Sequence, residues 1–152
     1  QNKHIQFLNT IFQKGLNQVI TDHAKKGKPI IGICLGMQLL GISSCENGIN
    51  EGLGLIKSKV VALGENKFHI GWNSIQICKE DNFINKANEK DYFFNHSYAY
   101  KDEGDHVIAT SVFKNIKFAS IIRSNNIIGM QFHPEKSQDS GNDLLSSIIG
   151  TF

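Results

Sequence analysis

Residues 29–40 of the chain read Pro29-Ile30-Ile31-Gly32-Ile33-Cys34-Leu35-Gly36-Met37-Gln38-Leu39-Leu40. The isoleucine-rich first half of this stretch predicts a buried strand, and its apolar second half has helical spacing. Gly32 and Gly36, two residues before and after Cys34, allow the sharp strand-to-helix turn of a nucleophile elbow. The pattern therefore predicts that Cys34 is a nucleophile, and not the small buried apolar residue that a free cysteine usually is.

The elbow places Cys34 at the N-terminus of the following helix, where unpaired N–H groups and the helix dipole favour a thiolate. A cysteine nucleophile also needs a base, and the base needs a group that orients it. The clearest candidates lie in Gly129-Met130-Gln131-Phe132-His133-Pro134-Glu135-Lys136-Ser137, an apolar strand that ends in His-Pro-Glu. We expect His133 to act as the base and Glu135 to orient it, whereas His4, His23 and His106 are expected to be ordinary structural histidines.

Composition narrows the class of protein. With 152 residues and 40% hydrophobic content, the chain is long enough for one domain with a hydrophobic core. We expect this single domain to cover residues 1–152. The net charge is +2, and no basic run is interleaved with aromatics, so no nucleic-acid partner is expected. Three cysteines without CxxC spacing suggest neither a disulfide framework nor a zinc site, which favours a reducing compartment. No apolar stretch approaches the ~20 residues that span a bilayer.

Periodicity predicts an amphipathic helix over residues 5–26, the elbow, and then mainly short strands. The glycine- and asparagine-marked turns between the strands favour antiparallel meanders. We expect a short helix over residues 79–90, anchored by Phe83 and Ile84, and a last helix over 140–149. The predicted strands cover residues 53–63, 68–78, 92–100, 106–113, 118–123 and 127–132. The whole is interpreted as one α/β domain with an antiparallel insert.

Gly-Ile-Cys-Leu-Gly-Met-Gln at residues 32–38, followed about a hundred residues later by Gln-Phe-His-Pro-Glu at 131–135, resembles a class I glutamine amidotransferase domain. The resemblance implies a three-layer, flavodoxin-like α/β fold with a mixed sheet, and a Cys34–His133–Glu135 triad. Further motifs resemble the glutaminase subunit of imidazole glycerol phosphate synthase. They are Glu-Gly-Leu-Gly-Leu-Ile at 51–56, His-Ile-Gly-Trp-Asn at 69–73, Phe-Asn-His-Ser-Tyr at 94–98 and Phe-His-Pro-Glu-Lys-Ser at 132–137.

The resemblance implies that Cys34 attacks the side-chain amide of glutamine, that ammonia leaves, and that water releases glutamate from a thioester. The Leu35 N–H would be one donor to the oxyanion. Gln38 and the backbone of Ser97 and Tyr98 would hold the amino-acid end of the substrate. Two alternatives stay open at this point: Gln38 could be solvated on its helix, and Tyr98 could be a core residue of a strand.

The resemblance also implies a partner, a separate (β/α)8 cyclase subunit that receives the ammonia. Trp72 and Lys136 resemble positions that face the cyclase, although Trp72 could be a core aromatic and Lys136 a solvated charge. Gly71 and Asn73 are poor core-strand residues, and this favours the interface for Trp72. The chemistry needs no metal or organic cofactor, and a cytoplasmic location is expected.

One part of the family pattern is not found in the sequence. The resemblance covers the chain from Lys28 onward, but the family's first strand and a glycine loop that gives a second oxyanion donor have no counterpart. We therefore expect an N-terminally truncated domain with an open edge beside residues 29–33 and weak or no glutaminase activity by itself. The chain could be a fragment of a larger polypeptide, a truncated gene product or one half of a domain completed by another chain, and a fragment is favoured.

Other functions remain open from the sequence. The same glutaminase chemistry could feed a different synthase, such as one that modifies surface-polysaccharide sugars. The chain could also be a catalytically idle interaction module, which the missing oxyanion loop supports and the intact triad opposes. A cysteine hydrolase or peptidase with the same elbow is a further alternative, against which Gln38 and Ser97-Tyr98 count.

Overall fold

A computed structural model describes residues 3–85, 87–101 and 103–152, with the backbone alone for residues 3–5 and 8. The helices are α1 (Lys3–Gln13), α2 (Leu16–Lys25), α3 (Leu35–Leu39) and α4 (Gln138–Ile149), with a 3-10 turn (Pro134–Lys136) before α4. The strands are β1 (Ile30–Ile33), β2 (Ser43–Ser44), β3 (Asn50–Glu51), β4 (Lys59–Ala62), β5 (His69–Ser74), β6 (Gln76–Ile77), β7 (Asp91–His96), β8 (Tyr98–Tyr100), β9 (Val107–Phe113), β10 (Ile116–Ser124) and β11 (Ile127–Met130).

The largest sheet has five strands in the order β1-β11-β10-β9-β6, and it is mixed. Strand β1 runs parallel to β11, whereas β11, β10, β9 and β6 pair antiparallel with their neighbours. Smaller antiparallel or mixed sheets join β3-β2-β4-β8 and β5-β7. The predicted mixed sheet with antiparallel additions is thus confirmed.

The core lies on both faces of the five-stranded sheet. Successive residues of β10 point to opposite faces, so Ile121 packs in a cluster with Leu144 and Ile148 of α4. Its neighbour Ile122 packs in a second cluster with Met37 of α3 and Ala24 of α2. Helices therefore cover the sheet on each side, which makes the three-layer α/β arrangement that the sequence predicted.

Two predicted helices are corrected by the structure. The single helix expected over residues 5–26 is divided into α1 and α2, because Gly15 between them takes a left-handed conformation with φ of 68°. The side chains of Ile5 and Leu8, part of the predicted stripe, lie outside the described residues.

The helix expected over residues 79–90 is wrong, because the described residues there form turns. The amide N–H groups of Ile84 and Ala87 bond three residues back, and the Asn88 side chain accepts a bond from the Ile77 N–H. Phe83 and Ile84 are nevertheless buried, as the predicted anchors of this segment.

Strand β1 lies at an edge of the sheet, and among the described residues it pairs with β11 alone. Ile31 is 38% exposed there. An apolar groove of about 450 Å³ runs beside this edge, between α1, α2 and the elbow, with Phe7, Val19 and Leu53 in its wall. The open edge and apolar face expected beside residues 29–33 are therefore present.

The backbone at Cys34 has φ of 49° and ψ of −106°, a rare conformation for a residue with a side chain. The turn that follows brings the chain back onto Gly32, where an added Cβ would lie 2.8 Å from the Met37 amide nitrogen and 2.9 Å from Gly36 backbone atoms. An added Cβ at Gly36 meets nothing within 4 Å among the described residues. Of the two glycines of the elbow, Gly32 is therefore required by close packing, and Gly36 is not.

We expect Gly32→Ala to destabilise the chain by about 1–3 kcal/mol, because the new Cβ collides with backbone atoms that have little room to move. The matched variant Gly36→Ala should be neutral or stabilising by up to about 1 kcal/mol, since it replaces a glycine in α3. Urea unfolding of the two variants measures the difference. Equal stabilities would contradict the close approach at Gly32.

Candidate active site

Cys34 is held where β1 meets α3. Its backbone N–H donates to the Met130 carbonyl at 2.7 Å, which continues the β1–β11 pairing by one residue. The thiol is half-buried and donates to the Asn95 carbonyl, with sulfur and oxygen 3.8 Å apart. The Gln131 side-chain amide donates to the sulfur at 3.7 Å. The structure therefore places the sulfur between the ends of β7 and β11.

Burial raises the pKa of the Cys34 thiol above its ordinary value, and the negative charge of Glu135 raises it further. The Leu35 N–H, the Gln131 amide and the Lys136 charge act in the opposite direction without reversing the shift. The expectation of a favoured thiolate is therefore corrected. The N–H at the start of α3 does stabilise the thiolate, but desolvation of the sulfur is the larger effect.

His133 and Glu135 form a close pair on the turn after β11. Nδ1 of His133 lies 2.7 Å from Oε1 of Glu135, and the carboxylate requires that Nδ1 carry the proton. Nε2 is then the basic nitrogen of the neutral imidazole. The backbone of His133 is anchored by its N–H on the Phe93 carbonyl and by the buried Ser137 hydroxyl on its own carbonyl. Among the described residues the hydrogen bonds of the Cys34 sulfur go to Asn95 and Gln131 rather than to this imidazole.

Gln38 points into the protein from α3. Its side chain is 6% exposed, so the alternative of a solvated glutamine is wrong. The Nε2 amide donates to the Tyr98 carbonyl at 2.8 Å and to Oε1 of Gln131 at 3.1 Å. Because Gln131 in turn donates to the Cys34 sulfur, these side chains form one hydrogen-bonded chain between β8 and the thiol. Gln131 was not singled out from the sequence, where its signal is a glutamine inside an apolar strand.

A cavity of about 480 Å³ opens beside the sulfur. Cys34, Leu35, Gln38, Ser97 and Tyr98 all line it, so the structure gathers the expected nucleophile, oxyanion donor and substrate-binding residues around one space. Tyr98 is partly exposed to this cavity while it also packs against the core.

Two charged side chains in the wall of this cavity were not predicted. Glu46 and Lys67 both line it, and burial raises the pKa of Glu46 above its ordinary value. The only sequence signal for Glu46 is its place in the polar loop over residues 43–52, which follows the elbow helix.

Trp72 lies on β5 and is 49% exposed, so the alternative of a core aromatic is wrong. Its ring meets Phe93 of β7 edge-on at 6.1 Å between centroids. Ile70, on the same face of β5, is 65% exposed, and Phe68 just before the strand is 66% exposed. Lys136 is exposed at the turn after Glu135. The strand β5 therefore presents apolar side chains to the outside.

Across residues 3–85, 87–101 and 103–152, no three side chains of His, Cys, Asp and Glu gather in a way that would hold a metal ion. None of the helices in those ranges has the length and apolar character needed to cross a bilayer.

Residues 11–148 match the family model of class-I glutamine amidotransferases. The chain is 40% identical over 148 residues to the imidazole glycerol phosphate synthase subunit HisH of Aquifex aeolicus, covering 95% of this chain and 69% of that protein. It is 44% identical over 142 residues to the HisH subunit of Oceanobacillus iheyensis, covering 91% of this chain and 70% of that one.

Among solved structures, the chain resembles PurLQS from Thermotoga maritima with a TM-score of 0.69 and 22% identity. That match covers 90% of this chain and 68% of the other. Across six similar solved chains, the share of their length that this chain spans runs from 53% to 75%. At such identities the likeness concerns the fold alone.

The raised pKa of Cys34 predicts slow alkylation at neutral pH. Only the thiolate reacts, so the labelling rate of an unburied cysteine stops rising once the pH passes its ordinary pKa. The labelling rate of Cys34 should still be rising with pH in that range, because its pKa is raised. Iodoacetamide labelling followed by mass spectrometry measures this, in a Cys45→Ser, Cys78→Ser background that leaves Cys34 as the one thiol. A rate that is already constant at neutral pH would mean a thiolate, contrary to the burial of the sulfur.

Proposed function

We propose a glutaminase function for this chain, which belongs to the class-I glutamine amidotransferase family and, within it, to the HisH subunits of imidazole glycerol phosphate synthase. The function is hydrolysis of glutamine to glutamate and ammonia, with the ammonia used in histidine biosynthesis. The observation that carries the proposal is the position of Cys34. It lies on a strained elbow at the end of β1, beside the end of β11 that leads to the His133–Glu135 pair.

The chemistry begins from a neutral thiol, because burial raises the pKa of Cys34. His133 Nε2 takes the thiol proton as the sulfur attacks the side-chain amide carbon of glutamine, and Glu135 stabilises the imidazolium through Nδ1–H. The Leu35 N–H donates to the tetrahedral oxyanion. His133 then protonates the leaving nitrogen, ammonia departs, and a glutamyl thioester remains on Cys34. His133 next activates a water that attacks the thioester, which releases glutamate and restores the thiol.

The cavity beside Cys34 offers partners for each end of a glutamine molecule. Gln38, Ser97 and Tyr98 line the same space as the sulfur. The partly exposed Glu46 carboxylate and Lys67 ammonium provide charges opposite to those of the α-ammonium and α-carboxylate groups. We assign recognition of the α-ammonium and α-carboxylate groups to Glu46 and Lys67, together with Gln38, Ser97 and Tyr98. We assign recognition of the side-chain amide to Cys34 and Leu35.

The partner is proposed to be a (β/α)8 cyclase subunit, and the cytoplasm to be the compartment in which the two act together. The supporting feature is the exposed apolar side of β5, with Phe68, Ile70 and Trp72. Monomeric proteins seldom expose several large apolar side chains together unless they bind another protein. Lys136 would add a charged contact beside the triad.

The test is covalent labelling with 6-diazo-5-oxo-norleucine, a glutamine-like electrophile. We expect intact-mass spectrometry to show one adduct that glutamine suppresses and that Cys34→Ala abolishes, whereas Cys78→Ala should keep it, since Cys78 is exposed and outside the cavity. His133→Asn should slow labelling by about 10²-fold or more, because the thiol then lacks its base. An adduct on a folded chain that is indifferent to glutamine or survives Cys34→Ala would overturn the proposal.

The partner surface has its own test. Trp72→Ala should weaken binding to the cyclase subunit of an imidazole glycerol phosphate synthase by about tenfold or more, as expected for an aromatic side chain central to an interface. Ile149→Ala is the matched control, because Ile149 is 66% exposed on α4 and outside the proposed surface. Surface plasmon resonance measures both, and equal losses would refute the assignment of β5 as the interface.

A further inference from the structure

Two buried histidines contact each other close to the cavity but outside the proposed triad. His69 on β5 is 2% exposed and His96 on β7 is 8% exposed. They are paired across the two strands, and Nδ1 of His69 lies 2.9 Å from Nε2 of His96. A polar pair in a dry interior is costly unless every nitrogen has a partner, so its hydrogen bonds can be followed one by one.

The direction of each bond follows from groups that can act in only one way. Nδ1 of His96 lies 2.9 Å from the Tyr98 carbonyl, which can only accept, so this nitrogen carries a proton. In a neutral ring Nε2 of His96 is then an acceptor, and Nδ1 of His69 must donate to it. Nε2 of His69 is left to accept from the Asn73 amide at 3.2 Å, and the same amide donates to the Val112 carbonyl at 2.9 Å.

Both rings are neutral at pH 7. Burial lowers the pKa of His69 to about 4 and that of His96 to about 3. The ring of His69 is stacked between those of Phe94 and Phe113, at 4.7 Å and 4.3 Å between centroids. Neutrality and these hydrogen bonds together fix one tautomer for each ring, with the proton on Nδ1.

This row of hydrogen bonds ends at the candidate active site. The Tyr98 carbonyl accepts both from His96 and from the Gln38 side chain, at 2.9 Å and 2.8 Å. His96, Tyr98 and Gln38 all line the cavity that holds Cys34. The orientation of the His96 ring therefore helps to decide where the Tyr98 carbonyl stands, and that carbonyl orients Gln38.

We propose that His69 and His96 are positioning residues for the glutamine pocket, in which the bonds from Asn73 through both imidazoles fix the Tyr98 carbonyl and the Gln38 amide. This inference rests on the proposed glutaminase function for the identity of the ligand. The pair touches neither the sulfur nor the proposed base in the hydrogen bonds of the described residues, so its effect should fall on ligand binding rather than on the bond-forming step.

Two variants of His69 separate hydrogen bonding from packing. His69→Phe keeps a ring between Phe94 and Phe113 but leaves Nε2 of His96 without a donor. His69→Asn gives up the stacking but keeps an N–H close to the position of Nδ1. A residue that matters only for packing would be replaced better by Phe, whereas a positioning residue would be replaced better by Asn.

The first readout is the concentration dependence of labelling by 6-diazo-5-oxo-norleucine. We expect His69→Phe to raise the half-saturating concentration by about tenfold, the size of one lost hydrogen bond, with the maximal labelling rate within about twofold of wild type. His69→Asn should bring the half-saturating concentration most of the way back to the wild-type value, although thermal unfolding should show it to be the less stable of the two variants. An unchanged half-saturating concentration in His69→Phe, or a loss confined to the maximal rate, would overturn the inference.

The second readout does not depend on glutamine chemistry. Proton–nitrogen correlation spectra of the isotope-labelled wild-type chain at pH 7 should show both His69 and His96 as neutral Nδ1–H tautomers. The Gln38 side-chain amide resonances should move in His69→Phe and return towards wild type in His69→Asn. An Nε2–H tautomer or a charged ring at either histidine would refute the positioning role. A wild-type chain that is not labelled but gives the expected spectra would instead place the failure in the proposed glutaminase function.

Discussion

The parallel pairing of β1 with β11 is the interaction on which the candidate site depends. It aligns Ile30 to Ile33 with Ile127 to Met130 and continues into the bond from the Cys34 N–H to the Met130 carbonyl. The carboxyl ends of two parallel strands lie side by side, so the elbow after β1 and the His-Pro-Glu turn after β11 begin next to each other. Gln131, 97 positions from Cys34 in the chain, is thereby brought into hydrogen-bond contact with its sulfur. Of the two glycines of the elbow, Gly32 alone has no room for a Cβ among the described residues.

Polar side chains in the interior couple that pairing to the cavity. Gln38 and Gln131 are 6% and 0% exposed, and each satisfies the other while it also bonds to Tyr98 or to the thiol. Removal of one member leaves a buried partner unsatisfied, so such a network permits few alternative arrangements. The result is that α3, β8 and β11 are held in one register around Cys34 by hydrogen bonds rather than by apolar packing alone.

The elbow, several strands and the last helix were predictable because each has a local pattern: glycines around Cys34, apolar runs for the strands and helical spacing over residues 140–149. The mixed sheet was implied by the family resemblance. The break at Gly15 was not predictable, because one glycine in a left-handed conformation interrupts an otherwise helical spacing. The turns over residues 79–90 were not predictable either, because a charged segment with two apolar anchors does not show the bond that the Asn88 side chain accepts from the Ile77 N–H. Cys34, His133 and Glu135 were nominated from motifs, and their roles remain proposals. The raised pKa of Cys34 could not be foreseen, since the helix terminus is visible in the sequence but the burial of the sulfur is not. Contacts between distant residues, such as His69 with His96 and Gln38 with Gln131, leave no periodic signal at all.

Charge is distributed around the cavity in a way that suits a zwitterion with a neutral amide. The buried or half-buried side chains near the sulfur are uncharged at neutral pH. Burial raises the pKa of the Cys34 thiol and lowers that of the His96 imidazole, and the amides of Gln38 and Gln131 carry no charge. An isolated charge among them would lose hydration without compensation. The charged wall residues Glu46 and Lys67 are partly exposed instead, where water limits that loss. An α-amino acid can thus keep its charged end near solvated charges while its amide lies among uncharged side chains. In the proposed mechanism the sulfur itself becomes charged only when His133 takes the thiol proton.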